Sequence, residues 1–229
     1  MRGAGQEGAP RVPGGETAAV LASGRGSNFE AILAAIRSGG LSARITHVVS
    51  DQPSAPVLDK AKAAGLTAVC VPVPAGEGSA AERRDRHEQA LLEALGPEPP
   101  KWLVLAGYLR ILGPRLLKAY RDAAGFQRIV NVHPSLLPAF PGLESYRRAW
   151  EHGCSVAGVT VHLVSADLDS GPICAQEAFS IHDCKDATEV EQRGLAVEHR
   201  LYPSTLQWLL NGPIKVLERP EGGRCVRPA

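Results

Sequence analysis

The chain has 229 residues, of which 44% are hydrophobic, 21% charged and 5% aromatic, and its formal net charge at pH 7 is +1. That composition suits one large globular domain and lacks the basic or aromatic surface that nucleic acid or an anionic membrane would need. No apolar run approaches the roughly 18 residues needed to span a bilayer.

Residues 1–16 are rich in Gly and Pro without the apolar middle of a secretory signal, and read as a disordered extension. Residues 17–22 form a strand candidate, followed by Gly24-Arg25-Gly26-Ser27-Asn28 and, over 29–36, apolar positions at helical spacing. A second strand is expected over 45–49, ended by Asp51-Gln52-Pro53, and a helix over 57–64 stopped by Gly65. Then come a strand over 67–73, a charged helix over 81–95 and a fully apolar strand over 102–105. Ile129-Val130 reads as the end of a buried strand, with Asn131-Val132-His133-Pro134-Ser135-Leu136-Leu137-Pro138 directly after it. Residues 156–164 and 173–179 look like longer strands joined through Asp169-Ser170-Gly171, and 188–210 like one closing helix interrupted or kinked at Pro203. The remainder, 212–229, reads as a loose tail. Short alternating strands and helices imply a mostly parallel sheet with right-handed crossovers, and the later strand pair an antiparallel extension. The expected fold is one α/β domain over 17–211 with helices on both faces.

Several segments could carry chemistry. Asn131 and His133, two apart on extended chain, project to the same side. A rigid loop with one neutral and one titratable donor is what a carbonyl under nucleophilic attack requires. Asp169, in its turn, could bring a carboxylate to that imidazole or could merely cap the turn. Gly24 to Asn28, between strand and helix, reads either as an anion site built from helix N–H groups or as a helix start capped by Ser27 or Asn28. Residues 106–112, after the 102–105 strand, could read the edge of a flat heterocycle or could be a plain connection with Arg110 on the surface. His47, His87, His152 and His182 read as structural, His162 stays ambiguous, and Glu198 could be a solvated charge. Cys70, Cys154, Cys174, Cys184 and Cys225 form no Cys-x-x-Cys pair, so reduced thiols in a cytoplasmic protein are expected, with no metal.

Taken together, Ser-Gly-Arg-Gly-Ser-Asn, Gly-Tyr-Leu-Arg-Ile-Leu, Asn-Val-His-Pro-Ser-Leu-Leu-Pro, Asp169-x-Gly-Pro and Glu198-His199 before Tyr202-Pro203 resemble the glycinamide ribonucleotide formyltransferase family of de novo purine synthesis, from about Ala18 to Leu209. The resemblance implies a single-domain, Rossmann-like formyltransferase fold with 10-formyltetrahydrofolate as co-substrate. It implies Asn131, His133 and Asp169 as the catalytic group. Gly26, Ser27 and Asn28 would hold the substrate phosphate and Glu198 the ribose hydroxyls. Arg84, Leu109, Arg110, Ile111 and Leu112 would contact folate, with Ser165, Ala166, Asp167, Leu168 and Asp169 as the loop closing over the ring. Two positions depart from the family pattern: Glu144 follows Pro141-Gly142-Leu143 where a histidine is common, and Leu195 stands where some members have a polar residue.

Related activities fit less well. A formyltetrahydrofolate hydrolase is expected to carry a regulatory domain ahead of the catalytic one, and a methionyl-tRNA formyltransferase a basic domain after it. A sugar-nucleotide formyltransferase has no use for the Gly-Ser-Asn phosphate loop in this form. A folate- or nucleotide-binding protein without catalysis would not need the Asn131, His133 and Asp169 trio. The sequence is compatible with a monomer or a homodimer.

Overall fold

The computed structural model describes residues 15–229. In chain order it contains β1 (Glu16–Leu21), α1 (Ser27–Arg37), β2 (Ala43–Ser50), α2 (Pro56–Ala63), β3 (Thr67–Cys70), α3 (Ala80–Leu95), β4 (Trp102–Leu105) and α4 (Pro114–Ala119). There follow β5 (Ile129–His133), α5 (Ser145–Glu151), β6 (Val156–Leu163), β7 (Ile173–Ser180), α6 (Ala187–Asn211), β8 (Ile214–Glu218) and β9 (Arg224–Pro228). The strands make one sheet in the order β3-β2-β1-β4-β5-β6-β7-β9-β8. β3, β2, β1, β4 and β5 run parallel, and β6 is antiparallel to both β5 and β7. The expected mixed sheet is therefore present.

Alternation along the central strands feeds two cores. Ala18, Val20, Trp102, Val104, Val130 and Val132 pack with Phe29 and Ile32 of α1, Tyr146 of α5 and Tyr202 and Leu206 of α6. Ala19, Leu21, Leu103, Leu105 and Ile129 pack on the other face with Leu91 and Leu95 of α3 and Leu116 of α4. Strands apolar at every position are what a sheet covered on both faces demands. Because side chains alternate, Asn131 and His133 share the face of Ile129. Two helix starts are built locally: Ser79 and Glu82 form a capping box on α3, and Asp186 accepts from the Glu189 N–H on α6 at 2.9 Å.

The structure differs from the sequence reading in several places. Residues 212–229 are not a loose tail: β8 and β9 form an antiparallel hairpin, and β9 joins β7 in parallel through Ile173 and Cys225. Val226, completely buried, anchors the hairpin in the larger core, which is why a segment rich in turn residues orders. Of the expected disordered extension, residues 1–14 lie outside the described residues, and Glu16 already opens β1. Asn131 and His133 lie within β5 rather than after it. α6 runs through Pro203 as one helix, and the short helices α4 and α5 were not anticipated. Among the described residues no helix is long and apolar enough to cross a membrane.

α6 is clamped to the sheet centre by Tyr202, whose buried hydroxyl lies 2.9 Å from the Leu105 carbonyl and 3.0 Å from that of Val130. Tyr202→Phe keeps the ring and removes this donor, so it should lower unfolding free energy by about 1–3 kcal/mol. The check is a urea midpoint shift at unchanged slope.

Candidate active site

β1 and β4 are neighbours, yet the chain leaves β1 into α1 on one face and leaves β4 toward α4 on the other. Such a point opens a crevice at the carboxyl ends of parallel strands. Here it is a cavity of about 420 Å³, lined by Asn28, residues 107–112, Asn131 to Pro134, Gly142 to Glu144, His162, Val164 to Asp169 and Glu198.

The β5–β6 pairing sets Asn131 directly opposite His162. Asn131 Nδ2 stands 3.2 Å from His162 Nε2, and His162 Nδ1 is 2.9 Å from the Leu163 carbonyl. The carbonyl can only accept, so Nδ1 carries the proton and Nε2 accepts from the Asn131 amide. Burial lowers the pKa of His162, against the opposing pull of the Leu163 bond and Asp169, which favours this neutral ring. One N–H of the Asn131 amide is thereby occupied and the other is left for a ligand.

His133 is 4% exposed. Its Nδ1 lies 3.4 Å from Asp169 Oδ2, and its Nε2 lies 3.0 Å from the Phe140 carbonyl and 3.3 Å from Ser145 Oγ. Asp169 Oδ1 is also 3.8 Å from His162 Nε2. Asp169 additionally accepts the Gly142 N–H at 2.8 Å, tying the 141–144 segment to the turn.

That geometry is held in unusual backbone. Phe140, Glu144 and Asp169 have φ of 49°, 58° and 50°. All three are at this site, and left-handed non-glycine residues persist only where surroundings over-determine them. Gly171 is required after Asp169 because a Cβ there would collide with the Leu163 carbonyl.

Across the cavity the first loop meets α6. Gly26, at φ 75°, precedes α1 with no side chain capping it, and a Cβ there would fall 2.6 Å from Val57 Cγ2. Neither Ser27 nor Asn28 is the cap considered above. The first-turn N–H groups are therefore left to solvent or to an anion. Asn28 turns inward: its Nδ2 donates to Glu198 Oε2 at 2.6 Å, and its Oδ1 is buried without a partner. Tyr146 donates to the other Glu198 oxygen at 2.7 Å. Glu198 is buried rather than solvated, and burial pushes its pKa up while the two hydrogen bonds pull it back.

The 107–112 segment, which lines the cavity, is pinned from behind. Ser23 N–H donates to the Gly107 carbonyl at 2.9 Å and Leu109 N–H to Ser23 Oγ at 3.0 Å. Arg110 is exposed, its side chain 44% so, and its Nε donates to buried Asp51 at 2.6 Å, so the guanidinium is on the surface but paired. Burial acts to raise the Asp51 pKa but is outweighed by bonds from Ser23 and Arg110. His87 Nε2 lies 2.7 Å from the Tyr108 hydroxyl, and Glu88 receives the Gly113 N–H and, at 3.1 Å, that of Leu116. Leu109, Ile111, Leu143 and Leu168 stand 64%, 50%, 67% and 54% exposed on the rim.

The sequence reading thus brought Asn28, Glu198, Leu109 to Leu112, Asn131, His133 and Ser165 to Asp169 to one cavity. Ser27 faces the outer groove between α1 and α6, and Arg84 an adjoining cavity of about 310 Å³ across the 109–112 segment. Sequence reasoning leaves His162 ambiguous and gives no role to Ser145, Tyr146 or the anchors Asp51 and Glu88, whereas His87, read as structural, is indeed buried and bonded to Tyr108. For His162 the signal was available: it lies on an antiparallel partner strand at a position able to face Asn131. The anchors come from distant segments and leave no local pattern.

The raised Glu198 carboxyl gives a prediction. A folded-state pKa above the unfolded value makes the native chain bind the proton more tightly, so that contribution to stability falls as pH rises from about 4.5. Glu198→Gln does not titrate. The stability of Glu198→Gln relative to the parent should therefore increase from pH 4.5 toward neutrality, read as urea unfolding free energies at stepped pH.

A family model described as formyl transferase matches residues 17–206. Phosphoribosylglycinamide formyltransferase of Bacillus subtilis (strain 168) is 41% identical over 192 residues, covering 84% of this chain and 93% of that protein. Its counterpart from Escherichia coli (strain K12) is 33% identical over 199 residues, covering 87% and 89%. The solved structure of glycinamide ribonucleotide transformylase 1 from Symbiobacterium toebii superposes with a TM-score of 0.79 at 37% identity, covering 93% and 94% of the two chains. The chain belongs to the formyl transferase family.

Proposed function

We propose that this enzyme transfers the formyl group of 10-formyltetrahydrofolate to the primary amine of glycinamide ribonucleotide, a step of purine (IMP) synthesis. The observation that carries the reading is the meeting of Asn131, His133 and Asp169 with the Asn28–Glu198 pair across one cavity. One side suits a carbonyl under attack and the other suits a ribonucleotide.

On this reading the phosphate sits on the uncapped start of α1, using Gly26, Ser27 and Asn28, where backbone N–H groups and the helix dipole favour an anion. Glu198 accepts from the ribose hydroxyls, the strongest acceptor available at that wall. Folate lies along residues 109–112, whose peptide groups read the edge of the pterin, with Leu109, Ile111, Leu143 and Leu168 against its faces. Ser165, Ala166, Asp167 and Leu168 close over it, and Arg84, in the adjoining cavity, faces its acidic tail.

The amine attacks the formyl carbon, and a C–N bond forms as the carbonyl electrons move to oxygen. The free N–H of Asn131 and a protonated His133 stabilise the oxyanion, while Asp169, beside His133 Nδ1, orients the ring. Collapse breaks the bond to the folate nitrogen, which takes a proton from His133 directly or through water. The amine's lost proton restores the imidazolium. The neutral His162 holds the Asn131 amide in place. No covalent enzyme intermediate and no metal is needed. The soluble substrates suit a cytoplasmic enzyme.

Asn131→Ala should lower kcat by ~10²–10³ with folding intact, followed by the release of tetrahydrofolate product. In the same assay, amine-dependent release that disappears in Asp169→Asn supports the transferase. Equal release without the ribonucleotide would make the protein a hydrolase, and folate binding without release would make it a binder. His87→Phe, which removes the bond to Tyr108 behind the folate segment, should raise KM for folate several-fold while leaving kcat nearly unchanged. Initial rates at varied folate separate the two constants.

A further inference from the structure

Tyr146 stands behind the Glu198 wall of the catalytic cavity. It lies on α5, is 7% exposed and does not line the cavity, whereas its partner Glu198 does. Its ring is packed in the larger core, edge-on to Phe179 with centroids 6.1 Å apart, and its hydroxyl meets Glu198 Oε1 at 2.7 Å. Burial, and then the Glu198 charge, push the phenol's pKa up, so this hydroxyl stays a donor.

α6 is shaped around that ring. Gly194 lies one turn before Glu198 on the same helix face, and a Cβ there would run into the Tyr146 ring and hydroxyl. The position is buried inside a helix of 25 residues, where glycine is less stable than alanine. The room it leaves is occupied by the phenol. Two other elements therefore grip Glu198: α1 through Asn28 Nδ2 on Oε2, and α5 through Tyr146 on Oε1. A carboxylate offers about four lone-pair sites, so acceptor capacity remains on each oxygen, and the two donors together set where it points. We propose that Tyr146 is a positioning residue for the ribonucleotide: it locks the Glu198 carboxyl in the orientation that receives the ribose hydroxyls, and Gly194 clears its place. This role rests on the contact between Glu198 and the ribose.

The test is initial-rate kinetics of the full chain, following tetrahydrofolate release at varied glycinamide ribonucleotide and varied 10-formyltetrahydrofolate. Tyr146→Phe keeps the ring and removes only the hydroxyl. It should raise KM for the ribonucleotide about tenfold, with kcat and KM for folate near the parent values. Combined with Glu198→Ala it should cost nothing further in kcat/KM for the ribonucleotide, because a residue acting through Glu198 then has nothing to position. Gly194→Ala retains the hydroxyl but crowds the ring; it should give the same split, which keeps the test open if Tyr146→Phe fails to fold. A folded Tyr146→Phe with parental KM would make the tyrosine a core residue only and overturn the proposal. A fall in kcat alone, or an undiminished loss in the Glu198→Ala background, would overturn it too. An unchanged ribonucleotide KM in Glu198→Ala itself would sink the ribose contact and the proposal with it. A raised KM there beside a parental Tyr146→Phe rejects the proposal alone.

Discussion

The antiparallel register of β5 against β6 is the constraint on which the site depends. It puts Asn131 opposite His162 and His133 opposite Thr160, and it brings the chain back through the turn that carries Asp169. Side chains alternate along a strand, so a slip of one residue would turn Asn131 and His133 toward the α1/α6 core and put valine side chains in their place. Burial of those valines in the large core therefore fixes the orientation of the polar residues between them. The polar group is aimed by the apolar residues that flank it.

Charge placement follows the same economy. Asp169 and Glu198 are both nearly excluded from water, and each is surrounded by partners from other elements. Asp169 has two imidazoles and a backbone N–H. Glu198 has an amide and a phenol, neither of which carries a positive charge, so burial keeps its carboxyl reluctant to ionise. A buried carboxylate held by neutral donors is costly until a ligand adds more donors, which suits the contact with ribose hydroxyls proposed for Glu198.

The 107–113 segment shows how a loop of exposed apolar residues can be kept in one shape. Its outward face is held by Ser23, Asp51, and the adjacent His87 and Glu88, drawn from three separate stretches of chain. Its cavity side carries the exposed Leu109 and Ile111. Rigidity supplied from behind lets the front remain unpaired without collapsing, and it lowers the ordering cost of binding a flat ligand.

Much of this was legible in the sequence. The apolar spacing of 17–105 gave the parallel half, because each strand and helix there is punctuated by local turn chemistry. The runs around Gly26, Asn131, His133 and Asp169 named the polar residues of the cavity, since loops at strand ends carry donors that a core would not tolerate. The β8–β9 hairpin was invisible, because its order comes from burying Val226 against distant strands rather than from its own pattern. His162, Tyr146 and the anchors of the 107–113 segment were likewise decided by tertiary structure. Their roles rest on hydrogen bonds between residues tens of positions apart, set by strand register and helix packing, which no local spacing encodes.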